Sequence, residues 1–522
     1  MATLSRRGVL GAGLALPMLA SPPLAGTARA STVANIVLES EVVILDPHAT
    51  TAAITRTFST HVFDTLFAMD GQGVIRPQMV EAWETSTDGL TWNFRLRPGL
   101  MWHDNTPVTA ADCVASLERW APRDALGRML WAAKAELAAT DARSFRLTLS
   151  RPFPLVLDVL GKPNAPLPVM MPARLAAVPV EQRLREPVGS GPFRFRAADW
   201  RPGDLMVLER FEGYVPREEP QDFLAGSKRA HLDRLNLRVM PDQATGASAL
   251  IQGEIDYMQY LPFDLLPRIE RARGVRTQGF GGIHQFQGNF RINHAVEPFD
   301  DPAIRQVLWR CVDQTAILTA IGVPERYRSP PCNAAFLCDG PLESRLGAER
   351  MGFDVAEARR MLAATNYRGQ PLTCLTVAGG ISQTAAQVTI QAMQQAGFRV
   401  EEQVMDWGTL LARRARREGW HMFSVYANGT DMFSPLTHFY ISNTCADFPG
   451  WDCDREIQAA LREFAATADP AGRRAIAARI QARVVEHVPS LMWGQFTIPA
   501  GYRERLRDLP RAAYPMFWGA RI

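Results

Sequence analysis

Asp431 is the residue whose surroundings best equip it to hold a charged group. It stands in HMFSVYANGTDMFSPLTHFY, His421 to Tyr440, after a buried-looking strand run (Met422, Phe423, Val425, Tyr426) and a glycine turn at Gly429, with Phe433 two residues beyond it. A polar solute enclosed by protein needs fixed partners for its ionised groups and aromatic or apolar walls for the rest, because an unpaired buried charge costs several kcal/mol. The segment offers both. The competing role for Asp431 is to cap the helix that follows, a position where Asp is favoured.

Residues for catalysis are sparse. Gly189-Ser190-Gly191-Pro192 lacks the spacing of a G-x-S-x-G elbow and reads as a tight turn where the chain crosses between lobes. The nine histidines include no i, i+4 pair, so HExxH metal chemistry is missing, and single ones such as His284 and His438 read as surface or hydrogen-bonded core residues. Seven cysteines cannot all pair. Cys332 with Cys338, and Cys445 with Cys453, are close in sequence within loop-like stretches, so two local disulfides are expected in an oxidising compartment. Cys113 and Cys311 lie among apolar residues of predicted helices and read as buried thiols. Neither close pair has C-x-x-C spacing and no histidine couple is near, so no zinc site, metal or cofactor is expected, and no enzymatic activity.

The elements that must position Asp431 alternate between strand and helix. TWNFRLR places Trp92, Phe94 and Leu96 on one face and Asn93, Arg95 and Arg97 on the other, the period of a half-buried strand. Thr109 and Asp112 then form a helix start, with Cys113, Leu117 and Trp120 as its apolar stripe. Residues 230–241 and 398–407 read as strands, 454–467 and 473–488 as helices, which together give a mixed α/β fold.

The first thirty residues read as an export signal: Ser5-Arg6-Arg7-Gly8-Val9-Leu10 is similar to a twin-arginine motif, an apolar run to about Ala20 follows, and Ala28-Arg29-Ala30 ends it as a cleavage site. The run is too short for a membrane span and no cysteine follows it for a lipid anchor. Without the segment, 492 residues carry 54 basic and 54 acidic side chains, which excludes an electrostatic footprint for nucleic acid or an anionic membrane. The one basic cluster, Arg413, Arg414, Arg416 and Arg417, reads as the solvated face of a helix. A chain of this size is too large for one core, so two or three lobes are expected.

Six ordered segments resemble family 5 extracellular solute-binding proteins, the receptors of ABC importers for dipeptides, oligopeptides and nickel complexes. They are Leu45-Asp46-Pro47 with Phe63-Asp64-Thr65-Leu66; FRLRPGLMWHDNTPVTAAD from Phe94 to Asp112; PVGSGPFRF from Pro187; ALIQGEIDYM from Ala249; PFDDPAIRQVLWRCVD from Pro298; and DVAEARRMLAATNYRG from Asp354. The resemblance implies a two-lobed periplasmic-binding-protein fold with a hinge: a first lobe over 31–285 holding an extra subdomain at about 75–187, a second lobe over 286–495, and a return to the first lobe over 496–522.

It also implies roles. Asp431, four residues before Pro435, matches the aspartate that pairs with a peptide α-ammonium, with Gly429 as the alternative occupant of that position. Trp407 matches a tryptophan beside the cleft, the alternative being a buried core tryptophan; Tyr426 and Phe433 join the candidate site from the aromatic composition of the segment around Asp431. Dipeptide receptors hold the ligand carboxylate with an arginine and a tyrosine near 376–387, where this chain has Gly379, Gly380 and Ser382, which argues against a dipeptide. The expected protein is a periplasmic, monomeric, non-catalytic subunit that captures a peptide-like or other small polar solute and delivers it to the membrane permease of an ABC importer. The alternatives are a periplasmic enzyme or peptide holder on the same scaffold, or a metal-complex receptor.

Overall fold

In the computed structural model, which describes residues 31–182 and 184–522, TWNFRLR forms the strand Thr91–Leu96. Trp92, Phe94 and Leu96 are buried while Asn93 and Arg95 face solvent. The strand lies inside a four-stranded antiparallel sheet in the order Val80–Thr85, Thr91–Leu96, Ser144–Leu149, Lys134–Ala139. Phe94 stacks on Phe145 across the pair, ring centres 5.0 Å apart. The helix Ala110–Trp120 covers the apolar face with Cys113, Leu117 and Trp120, all buried.

That helix starts with a complete capping box. The Thr109 hydroxyl accepts from the Asp112 backbone N–H at 3.3 Å, and the Asp112 carboxylate accepts from the Thr109 backbone N–H at 2.9 Å. Asp112 also accepts from the Ala173 backbone N–H at 2.7 Å and from the Trp102 indole at 3.2 Å. Asp112→Ala is therefore expected to cost about 2 kcal/mol, against about 1 kcal/mol for Thr109→Ala, which loses only one partner of the cap. Urea unfolding of both variants measures the difference, and equal midpoints would show that the extra bonds contribute nothing.

The two larger sheets carry the rest of the chain. A seven-stranded sheet runs in the order Phe193–Phe195, Leu205–Arg210, Arg234–Arg238, Val33–Val37, Tyr257–Met258, Ala500–Arg503, Val275–Gln278. A five-stranded sheet runs Arg399–Met405, Pro371–Val377, Met422–Asn428, Phe286–Ile292, Ser490–Phe496. Both mix parallel and antiparallel pairs, as expected of an α/β protein with long helical connections. The chain leaves the first sheet after Gln278 and enters the second at Phe286; it returns between Phe496 and Ala500. The helical spacing near the C-terminus appears as Arg455–Ala466 and Pro470–His487.

Deep in the second sheet Arg291 is fully buried. It donates to the Asp452 carboxylate at 2.5 Å, to the Pro449 carbonyl at 2.7 Å and to the Pro489 carbonyl at 3.0 Å. These bonds satisfy the guanidinium and fix the loop that runs from Cys445 to Cys453.

Gly189 and Gly191 do not form a crossing turn. Both lie against the C-terminal end of the helix Ala53–Val62, where a Cβ would sit 1.9 Å from the Val62 carbonyl oxygen and 2.5 Å from that of His61. Glycine is needed there for close approach of two backbones.

The structure joins Cys332 to Cys338 and Cys445 to Cys453, with Cα atoms 5.8 and 4.0 Å apart. Cys113, Cys311 and Cys374 are buried thiols. The export motif and its cleavage site lie outside the described residues. Among those described, no helix is long and apolar enough to cross a membrane.

Candidate functional site

The helix Trp407–Arg414 begins where Asp406 accepts from the Thr409 backbone N–H at 3.0 Å. Leu410 anchors it in a small core with Leu375, Trp420 and Phe423. Trp407 is held at its first turn with 49% of its surface exposed, and Tyr426, on the neighbouring strand, keeps 37%. Large aromatic side chains that stay this open on rigid elements are free to pack against something else.

They face a cleft of two adjoining chambers. Thr51, Trp407, Val425, Tyr426 and Ala427 line both. One chamber, of about 570 Å³, adds Glu39, Phe286, Gly380, Ser382 and Asp431. The other, of about 450 Å³, adds Arg128, Lys162, Asn164, Arg414, Tyr440 and Phe448. These volumes suit a small molecule. Phe448 reaches the second chamber from inside the loop closed by Cys445 and Cys453, so the disulfide and Arg291 together hold part of the wall.

Asp431 lines the first chamber, but its charge is already matched. Its Oδ1 accepts from Arg56 Nη1 at 2.7 Å, and both residues are buried. Arg56 lies on the helix Ala53–Val62, beside the seven-stranded sheet, whereas Asp431 lies on the short helix Gly429–Met432, beside the five-stranded one. The pair therefore bridges the two sides of the cleft. Arg56 also stacks over the Tyr514 ring, 4.0 Å from its centre. Burial opposes the charge on Arg56, and Asp431, Tyr514 and Glu39 more than offset it, raising the arginine above its ordinary pKa. Neither sequence-based role fits unchanged. Asp431 is not a cap: it lies inside the helix Gly429–Met432, and its carboxylate bonds Arg56 with no backbone N–H partner among the described residues. It is not an open anion either.

Gly429, the alternative occupant of that position, sits where this backbone leaves no room for a side chain. A Cβ there would lie 2.6 Å from the carbonyl oxygens of Ile283 and Gln285. Phe433 packs toward the buried cluster that holds Phe223, Tyr514 and Trp518, and lines neither chamber. Thus Asp431, Trp407 and Tyr426 meet at the cleft, while Gly429 and Phe433 support it from behind.

Three residues missed in the sequence complete the charge pattern. Glu39 follows the strand Val33–Val37 and keeps solvent access deep between the walls. Loss of surrounding water raises its carboxyl pKa, while Arg56 and a hydrogen bond with Tyr260 pull it down. Arg56 was hidden in an unremarkable run, AITRTFSTHV. Arg414, expected on a solvated face, instead turns into the cleft; it follows Trp407 by seven residues and Leu410 by four, so helical spacing already put it on their face. Burial lowers its pKa, yet a guanidinium stays charged near neutral pH. Its neighbours Arg413 and Arg417 do lie away from the cleft, on Gln403 and near Asp447.

The isolated histidines are core groups. His438 is fully buried against Phe336 and Tyr440, and burial lowers its pKa to about 3. His284 sits edge-on to Phe223 and is lowered to about 4 for the same reason.

A cleft walled from two separate sheets, with open aromatics and its buried aspartate already paired, has the form of a site that encloses a small polar solute. The family model for bacterial extracellular solute-binding proteins, family 5, matches residues 74–450, and the chain belongs to that family. It is 32% identical over 534 residues to a probable peptide ABC transporter periplasmic-binding protein, y4tO of Sinorhizobium fredii, with 99% of each chain covered. It is 28% identical to the glutathione-binding protein GsiB of Pectobacterium atrosepticum, over 80% of this chain and 76% of that one. Among solved structures, DppA of Helicobacter pylori in complex with the peptide STSA superposes with a TM-score of 0.79 at 18% identity, covering 94% of this chain and 98% of that one. AgaA of A. tumefaciens R10, in complex with agropinic acid, gives 0.76 at 22% identity over 94% and 98%. The protein is a periplasmic substrate-binding subunit of an ABC importer, with a two-lobed α/β fold, and it delivers its solute to permease subunits.

Proposed function

We propose that the cleft takes a small peptide-like solute and that the protein binds it as a monomer without turnover. The observation that carries this reading is the pair of open rings, Trp407 and Tyr426, shared by both chambers. The names of the relatives, a peptide receptor and a glutathione receptor, support a peptide-like class. Binding without chemistry agrees with the state of the thiols: burial raises the pKa of Cys311 to about 12 and those of Cys113 and Cys374 further, so none is an activated nucleophile.

On this reading the first lobe spans 31–285, with its subdomain at about 75–187, and the second spans 286–495, before the chain returns. The two crossings, between Gln278 and Phe286 and between Phe496 and Ala500, act as the hinge.

The test is mass spectrometry of the small molecule that copurifies with the mature protein, followed by titration of that molecule into stripped protein. Saturation at a hundredfold excess over Kd should stabilise the fold by about 2.7 kcal/mol. Trp407→Ala combined with Tyr426→Ala should lose roughly 2 kcal/mol or more of binding while melting near the parent, because both rings are substantially exposed. Parent-like affinity in that double variant would place the solute elsewhere.

A further inference from the structure

The charges lining the cleft do not cancel. Asp431 is matched by Arg56 at 2.7 Å, Glu39 faces the same guanidinium and shares a hydrogen bond with Tyr260, and Lys162, buried in the second chamber, is matched by Asp124. Arg414 has no hydrogen-bond or carboxylate partner among the described residues. Its guanidinium lies 5.7 Å from the centre of the Trp407 ring and 5.3 Å from that of Phe423. A guanidinium placed over aromatic rings keeps its N–H donors available for a planar or tetrahedral anion. Arg128 lines the same chamber and, among the described residues, has only a long side-chain bond, 3.3 Å, to the Pro122 carbonyl. We propose that the solute is an acid whose carboxylate or phosphate is seated on Arg414, and that it presents no ammonium to Asp431.

This rests on the cleft being the solute site. The second half follows from Arg56. Its guanidinium already occupies a cation's place against Asp431, clamped between that carboxylate and the Tyr514 ring, 4.0 Å away. An incoming ammonium would have to expel a buried arginine and leave it unpaired, so selection at this point runs against a free amine rather than for one. Arg56 is on this account a specificity-determining residue. A purely structural role for Arg414 would be to complement the C-terminal end of the helix Trp407–Arg414, and Arg414→Lys preserves that charge.

The test uses stripped mature protein and defined probes: Met-Leu and glutathione, their carboxamides, and their N-acetyl forms, read by calorimetric titration and melting curves, with mass spectrometry of the copurified molecule. At least one acid should bind the parent, its carboxamide should bind roughly 30-fold more weakly or worse, and N-acetylation should leave affinity unchanged or improved. Arg414→Gln should melt like the parent and bind acid and amide alike, at the weak level; Arg414→Lys should recover part of the preference. The proposal is overturned by equal binding of acid and amide to the parent, by full affinity in Arg414→Gln, or by loss of affinity on N-acetylation. It is overturned equally if no probe binds and the copurified molecule carries no acidic group. Full affinity in the Trp407→Ala, Tyr426→Ala variant has a different meaning, since it removes the cleft reading itself.

Discussion

Lowering the pH from 7 to 5 is expected to strip roughly 8 kcal/mol from the stability of this protein, through four buried histidines, at about 2 kcal/mol each. Burial is the main cause at every one, and nearby cations add to it. It lowers His48 to about 3 with help from Arg119, His61 to about 4 with help from Lys228, His103 to about 4 with help from Arg194, and His438 to about 3 with help from Arg291. The unfolded chain takes up these protons near pH 6.5, whereas the folded chain takes them up only near pH 3 to 4. Between those values the unfolded state binds more protons, so the stabilisation is complete above about pH 6.5 and is lost as pH falls. A loss of this size approaches the whole stability of many domains. Urea midpoints at pH 7 and pH 5 measure it. Imidazole NMR signals of the four residues should also stay flat from pH 8 to 5, and normal titration near 6.5 would contradict the burial argument.

Asp431→Ala is expected to cost roughly 3 to 5 kcal/mol, because it leaves the Arg56 guanidinium buried without its carboxylate. Asp431→Asn keeps the volume and still removes the charge, so it should also be clearly destabilising. A capping aspartate would behave otherwise, since asparagine caps as well. The double variant Arg56→Met, Asp431→Leu removes both charges and should be more stable than either single change, as replacing a whole buried pair by apolar groups is often near neutral. Melting curves of the three variants decide the matter. If Asp431→Ala melts with the parent, the pair contributes nothing to the fold.

The parts legible in the sequence were those governed by local period and local chemistry. The strand Thr91–Leu96, the capping box at Thr109 and Asp112, and the paired C-terminal helices all follow from spacing within a dozen residues. Trp407 was placed beside the cleft by the resemblance to a known family, whereas Tyr426, on a strand that looked buried, keeps more exposure than its neighbours suggested. The charge pattern was not legible, because Arg56 and Asp431 are 375 residues apart and only the tertiary fold brings them together. Gly189 and Gly191 were misread for a similar reason: what demands glycine there is the backbone of Val62 and His61, far away in the chain. Arg414 is the exception. Its face was available from its distance to Trp407 and Leu410, but the arginines around it suggested solvent.

On the proposed hinge motion, both ends of the Arg56–Asp431 bridge belong to the chain, so the bridge would favour the shut form by the same amount whether or not a solute is present. Apparent affinity equals intrinsic affinity scaled by the fraction of molecules already competent, and a built-in clasp raises that fraction. The gain has a counterpart in signalling. A solute shifts the open–shut equilibrium only by its own preference for the shut form, and the clasp leaves less of that equilibrium to shift. A permease that sensed closure alone would then be engaged by unloaded receptors as well as loaded ones, so productive transport has to depend on contacts that the solute itself completes.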